Sequence, residues 1–212
     1  MDVVQLQIRS RRESGRDLPV LVWRWPSPMR VIASAPHGGG LGLRRWVVNA
    51  QVPASYARRD PDHHLGKLGV SLGLPGRGVG MLTAADVRQH GVASDGGVGV
   101  VATVGLSHPI LAAAPDGARQ PLVGTINVVV SLPERLSDSA LVNAVSTATE
   151  AKVQALSELR IDATGTATDA LCILCPGEGR PHSFGGPRSM WGSRLARAVH
   201  AAVRRGAWER HG

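Results

Sequence analysis

The chain is poor in aromatic residues, in lysine and in cysteine, and each shortage removes a class of function. One Phe, one Tyr and five scattered Trp in 212 residues do not make the row of stacking platforms on which readers of single-stranded nucleic acid depend. Lys67 and Lys152 are the only lysines, so 22 of the 24 basic residues are arginine. That skew, with its abundant Ala, Gly and Val, is what GC-rich coding produces. The formal net charge of +8 is therefore weak evidence for a polyanionic partner, and no nucleic-acid partner is expected. Long apolar runs are also missing: no stretch approaches the length of a membrane span. Arg9, Arg11, Arg12 and Arg16 follow the N-terminus too closely for a signal peptide. A cytoplasmic chain without a membrane partner is expected.

The two cysteines, Cys172 and Cys175, make a CxxC pattern that elsewhere suggests metal or redox chemistry. Here they fall in a strand-like run, Asp169-Ala-Leu-Cys-Ile-Leu-Cys175, and residues three apart on a strand point to opposite faces. Both are expected to be small buried side chains. No His, Asp or Glu set has recognised zinc spacing. Neither a metal nor another cofactor is expected.

What is present is enough apolar residue, 43%, for one sizeable core, and a single domain over residues 1–212 is expected. Strands are predicted at 3–8, 19–25 and 29–34, the last two separated by Pro26-Ser27-Pro28, and again at 46–52, 78–83, 97–107, 124–131 and 169–175. Helices are predicted over 138–159, capped by Ser137 or Asp138, and over 189–206, capped by Ser189. The strand, helix and strand between 124 and 175 form a possible βαβ unit. Its final loop would lie at the amino end of a strand, whereas ligands of open parallel sheets sit at carboxyl ends. With several strands joined without helices, this favours an α+β fold: mixed, largely antiparallel sheet with the helices 138–159 and 189–206 packed on it.

His37-Gly38-Gly39-Gly40 and Gly69-Val70-Ser71-Leu72-Gly73 together match an oxyanion loop and a nucleophile elbow. A serine esterase using Ser71 is thus one reading. An elbow needs a strand before its serine and a helix after it. Residues 60–69 do not read as a strand, and Leu74-Pro75-Gly76 ends any helix.

The 138–159 helix carries an apolar stripe of Leu141, Val145, Ala148, Thr149, Leu156 and Leu159, and Lys152 falls at its centre. A lysine facing a core needs an anion or a path to solvent. Asp169 is a candidate partner, and the pair would either fix a loop or act directly. Glu150 lies well round the helix from Lys152 and substitutes for it only if the helix is turned. Between helix and strand comes Ala163-Thr164-Gly165-Thr166-Ala167-Thr168-Asp169-Ala170, a hydroxyl-rich loop at the edge of a core. Such a loop is costly unless it binds something or satisfies itself. Asn49 precedes a strand-ending proline, Thr83 and Thr103 lie near strand ends, and Asn127 lies within a strand. His37 and His182 sit in glycine-rich loops, where they are placed to shuttle protons near neutrality.

In order, the segments Val48-Asn49-Ala50-Gln51-Val52-Pro53, Gly78-Val-Gly-Met-Leu-Thr-Ala-Ala85, Ala102-Thr-Val-Gly-Leu-Ser107, Gly124-Thr-Ile-Asn127, Ala148-Thr-Glu-Ala-Lys152 and Ala163 to Ala170 resemble the adenosylcobinamide amidohydrolases, the CbiZ-type enzymes of corrinoid salvage. The resemblance runs from about residue 30 to 206. It implies hydrolysis of the amide that joins the aminopropanol arm to the corrin ring, giving adenosylcobyric acid for re-entry into cobalamin synthesis, with the corrinoid as substrate. A non-catalytic corrinoid binder is the alternative. Amide hydrolysis needs an activated nucleophile or water, donors for the oxyanion and an acid for the amine. For those roles the residues offer Lys152 with Asp169, or Glu150, as base; Thr166 as nucleophile; and Asn49, with Gly165 and Thr166, as oxyanion donors. Thr83, Thr103, Asn127, Thr164, Gly165, Thr168, His37 and His182 are expected to bind substrate. Trp46 and Trp191 are expected at the rim of a broad cleft.

Overall fold

The computed structural model describes residues 6–13, 15–115 and 124–208. Its elements are β1 (Leu6–Glu13), β2 (Arg16–Ala33), β3 (Gly40–Gln51), α1 (Pro61–Ser71), β4 (Gly78–Thr83), β5 (Gly91–Asp95), β6 (Val98–Gly105), β7 (Thr125–Ser131), α2 (Asp138–Glu158), β8 (Ala170–Pro176) and α3 (Met190–Trp208). The fold is α+β. All eight strands join one mixed sheet in the order β4-β3-β2-β8-β7-β6-β5, with β1 on β2. Only β3 with β4 and β7 with β8 run parallel.

Strand β2 is the hinge of this sheet. The sequence suggests two strands broken by Pro26-Ser27-Pro28, but one 18-residue strand passes through them. Its register on β3 shifts between Arg24 and Met29. Proline lacks the N–H that a ladder needs and is tolerated at such a bulge. Before the bulge β2 pairs with β1, and after it with β8. Strand β5, short and half exposed, is absent from the prediction. Gly91 opens it because a Cβ there would run into the Ala202 carbonyl of α3.

The sheet curls until β3 and β4 face β6 and β7. Alternation along each strand then builds three apolar layers. Leu21, Trp23, Val47, Met81, Val129 and Leu174 fill the inside of the curl. Val100, Val128, Ile173 and their neighbours pack outward under α2 and α3, while Val20, Trp46 and Val48 pack outward under α1. The buried face of α2 is mostly alanine (140, 144, 148, 151 and 155), which lets the helix lie close. Ser137 and Ser189 cap α2 and α3. Trp46 and Trp191 are not at any rim. They are 3% and 4% exposed, Trp46 against Gly69 and Gly78 and Trp191 in the layer beneath α2 and α3. The Trp46 indole, on the outward side of β3, is covered by α1, whereas Trp191 is on the buried face of α3 itself.

Cys172 points into the curl and Cys175 toward the helices, the opposite faces that strand geometry dictates. Burial pushes the Cys172 thiol up to about 12 and raises Cys175 as well. Neither is a thiolate at neutral pH. Native protein is expected to take up no iodoacetamide at pH 7.5, against two equivalents after unfolding, read by intact mass. No helix among the described residues is long and apolar enough to cross a membrane.

Candidate active site

The curl brings together strand ends that an open sheet would keep apart. A cleft of about 420 Å³ lies between the ends of β2, β3 and β4, represented by Ser34, Pro53 and Thr83, and the beginnings of β7 and β8, represented by Thr125 and Asp169. The amino-end position of the loop before β8 and the preference for carboxyl ends are thereby reconciled. Two halves of opposite sense meet there, and the parallel pair β3/β4 supplies the carboxyl ends.

Asp169 and Lys152 meet as the sequence suggests. Helix α2 and strand β8 form a βαβ crossover with β7, whose residue Asn127 stands level with Ala170. This carries Lys152, near the last turns of α2, over the start of β8. Lys152 Nζ donates to Asp169 Oδ2 at 2.5 Å, with side chains 14% and 17% exposed. Asp169 Oδ1 accepts from the Ile126 backbone N–H at 2.9 Å and from the Thr166 hydroxyl at 2.6 Å. One lone pair of Oδ2 is left uncommitted. The carboxylate stands between the main cleft and a smaller cavity of about 260 Å³ lined by Val145, Thr149 and Lys152. Gly165 leaves room for the pair, since a Cβ there would collide with both Asp169 Oδ2 and Lys152 Nζ.

The loop hydroxyls satisfy one another, and only some open into the cleft. Thr166 is 8% exposed and also lies 2.7 Å from the Gly124 carbonyl. Its position braces the carboxylate. Thr168 and Thr125 line the cleft, 2.6 Å apart. Thr164 accepts from Ala112 N–H at 2.8 Å and ties its loop to residues 110–112. Thr83 accepts from Ala85 N–H at 3.1 Å, which leaves its own proton uncommitted, and it lines the cleft.

Asn49 lies one layer beneath. It is 2% exposed; its amide nitrogen donates to Thr103 and its oxygen accepts from Asn127. Asn127 also donates to the Leu82 carbonyl and lines the cleft. Its own buried Oδ1 has no partner. Contact between a bound molecule and this network therefore passes through Asn127 rather than through Asn49 or Thr103.

Three candidates are not brought to the pair. Glu150 is exposed on α2. His182 pairs with Glu134 at 2.8 Å beyond the far ends of β7 and β8. His37 stacks on Trp46 at 5.8 Å, its Nδ1 3.0 Å from the Asp62 carbonyl, beside a separate shallow hollow. Ser71 closes α1, with its hydroxyl bonded to the Leu68 carbonyl at 2.9 Å. An elbow serine follows a strand and precedes a helix, so the esterase geometry is absent. Ser34 and Tyr56 line the cleft without having been singled out. Tyr56, the lone tyrosine of the chain, was the available signal. Among the described residues no three His, Cys, Asp or Glu side chains gather as a metal site.

A family model described as adenosylcobinamide amidohydrolase (CbiZ) matches residues 4–212. The chain is 29% identical to the adenosylcobinamide amidohydrolase of Methanosarcina mazei over 178 residues, 79% of this chain and 85% of that protein. It is 34% identical to the protein of the same name from Halobacterium salinarum over 130 residues, 58% of this chain and 56% of that one. In fold it is similar to the crystal structure of the PH0078 protein from Pyrococcus horikoshii OT3, with a TM-score of 0.53 at 9% identity, covering 97% of this chain and 83% of that one. At that identity the likeness is one of fold alone.

Proposed function

Because the chain belongs to the adenosylcobinamide amidohydrolase family, whose chemistry is the hydrolysis of an amide bond, we propose that it cleaves the aminopropanol amide of adenosylcobinamide in the Asp169 cleft. The products are adenosylcobyric acid and aminopropanol, which suits salvage of cobinamide for cobalamin synthesis. The observation that carries this reading is the placement of Asp169. It is the only charged side chain among the described residues that line the cleft, and it is braced from three sides with one lone pair left over.

In this reading Asp169 takes a proton from the attacking water. Lys152 and the Ile126 N–H hold the carboxylate in place, and Thr166 supports it from behind rather than attacking. The Thr83 hydroxyl, whose proton has no acceptor among the described residues, is the donor offered to the developing oxyanion, since a neutral donor needs no change of its own charge. A corrin ring is far larger than about 420 Å³, so the arm and its amide enter while the ring stays at the mouth, beside Pro36, Pro53 and Pro61.

The test is incubation of purified protein with adenosylcobinamide, with and without added divalent metal, followed by mass of the corrinoid and assay of free aminopropanol. Loss of the arm with release of aminopropanol is expected. Unchanged substrate that nevertheless binds would make the protein a corrinoid binder.

A further inference from the structure

A row of polar side chains reaches the cleft wall from the opposite side to Asp169, and the steps above leave it unused. Tyr56 lies in the segment between β3 and α1 and lines the cleft. Its hydroxyl is 2.9 Å from His64 Nδ1, and the two rings stack with centroids 5.6 Å apart. His64, in α1, is 7% exposed, and its Nε2 is 3.0 Å from Glu13 Oε1. The other oxygen of Glu13 is held by Arg11 at 3.0 Å, and Arg11 in turn donates to the Gln51 carbonyl at the end of β3. Arg58 and Asp60, the remaining charges near Tyr56, bind each other at 2.8 Å.

Such a row has a defined polarity. With Glu13 on Nε2, a neutral imidazole keeps its proton there and Nδ1 accepts from the phenol. When the imidazole is charged, Nδ1–H donates to the phenol oxygen, and the phenol's own proton is free for another acceptor. Burial raises the Tyr56 phenol above its ordinary value, so it stays protonated through the neutral range.

We propose that Tyr56 is the acid that protonates the departing amine, and that His64 and Glu13 are positioning residues that resupply its proton. The step rests on the amide hydrolysis proposed above. Water adds its oxygen to the carbonyl carbon and gives one proton to Asp169. The C–N bond breaks as the Tyr56 proton passes to nitrogen. The His64 Nδ1 proton then moves to the phenolate oxygen, leaving a neutral imidazole whose Nε2–H remains on Glu13. Solvent restores both groups.

The test compares two substrates in the wild type and in Tyr56→Phe, which deletes only the hydroxyl. For adenosylcobinamide, kcat is expected to fall about 100-fold, in the range of general acid catalysis, with KM changed less than about threefold. For the 4-nitrophenyl ester of adenosylcobyric acid, whose leaving group departs as an anion, the rate is expected to stay within about fivefold, because no acid is needed. In Glu13→Gln, amide kcat is expected to fall while the aryl-ester rate stays within about fivefold, since the carboxylate that orients the imidazole through Nε2 is gone. Wild-type amide turnover in Tyr56→Phe would overturn the proposal, as would equal slowing of amide and aryl ester. Failure of the wild type itself to cleave the amide would instead overturn the hydrolysis reading.

Discussion

Asp169→Asn is expected to lower kcat/KM for adenosylcobinamide about 1000-fold, roughly 4 kcal/mol of transition-state stabilisation, while corrinoid affinity changes by less than about threefold. The amide side chain keeps the shape of the carboxylate and an acceptor for the Ile126 N–H, but it no longer takes a proton from water. Stability is also expected to fall. Lys152, 14% exposed, loses its anion, and breaking such a pair from one side costs about 3–5 kcal/mol. The double variant Lys152→Met/Asp169→Asn separates the two effects. With the orphan charge removed it is expected to melt at a higher temperature than the single variant, yet to be equally inactive. Recovery of turnover together with stability would mean that the pair only holds the loop.

Gly165→Ala is expected to lower kcat about 100-fold without a comparable change in binding. An added Cβ overlaps Asp169 Oδ2 and Lys152 Nζ, and the backbone of Gly165 is itself tied down by a bond from Ile110 N–H to its carbonyl at 2.8 Å. The loop cannot retreat freely, so the ion pair must open. Displacing a catalytic group by about 1 Å costs on the order of 100-fold. Steady-state kinetics beside a corrinoid titration monitored by absorbance would show the split. Unchanged kcat would mean that the exact position of the carboxylate does not matter.

The pair was legible in sequence because two local conflicts had a common solution. A lysine in the apolar stripe of α2 needed an anion, and a hydroxyl-rich loop ending in Asp169 needed a reason to sit beside a core. The βαβ connection then fixed their meeting. The mixed sheet and the two long helices were legible too, because period and capping carry their own signal. The hinge in β2 was not. Pro26 and Pro28 read as a break, and only pairing on both sides shows them as a bulge inside one strand. Everything that depends on the resulting curl was hidden with it. The meeting of Glu13 on β1, His64 on α1 and Tyr56 in the segment before α1 was hidden for another reason, since it follows from the packing of α1 on the β2–β3 pair. Asn49 and Trp46 lie on known strands, but which face is cleft, core or helix-covered follows from the curl rather than from alternation. His37 and His182 sit in glycine-rich loops, and composition gives no address for a loop.

The most direct measurement is a crystal structure of Asp169→Asn with adenosylcobinamide bound and uncleaved. The expected result places the aminopropanol arm inside the cleft, with the scissile carbonyl within hydrogen-bond reach of Thr83, a water beside residue 169 and the amide nitrogen facing the Tyr56 hydroxyl. An arm seated in the hollow beside His37, or any pose that leaves the amide nearer to His182 than to residue 169, would contradict the assignment of this cleft as the active site.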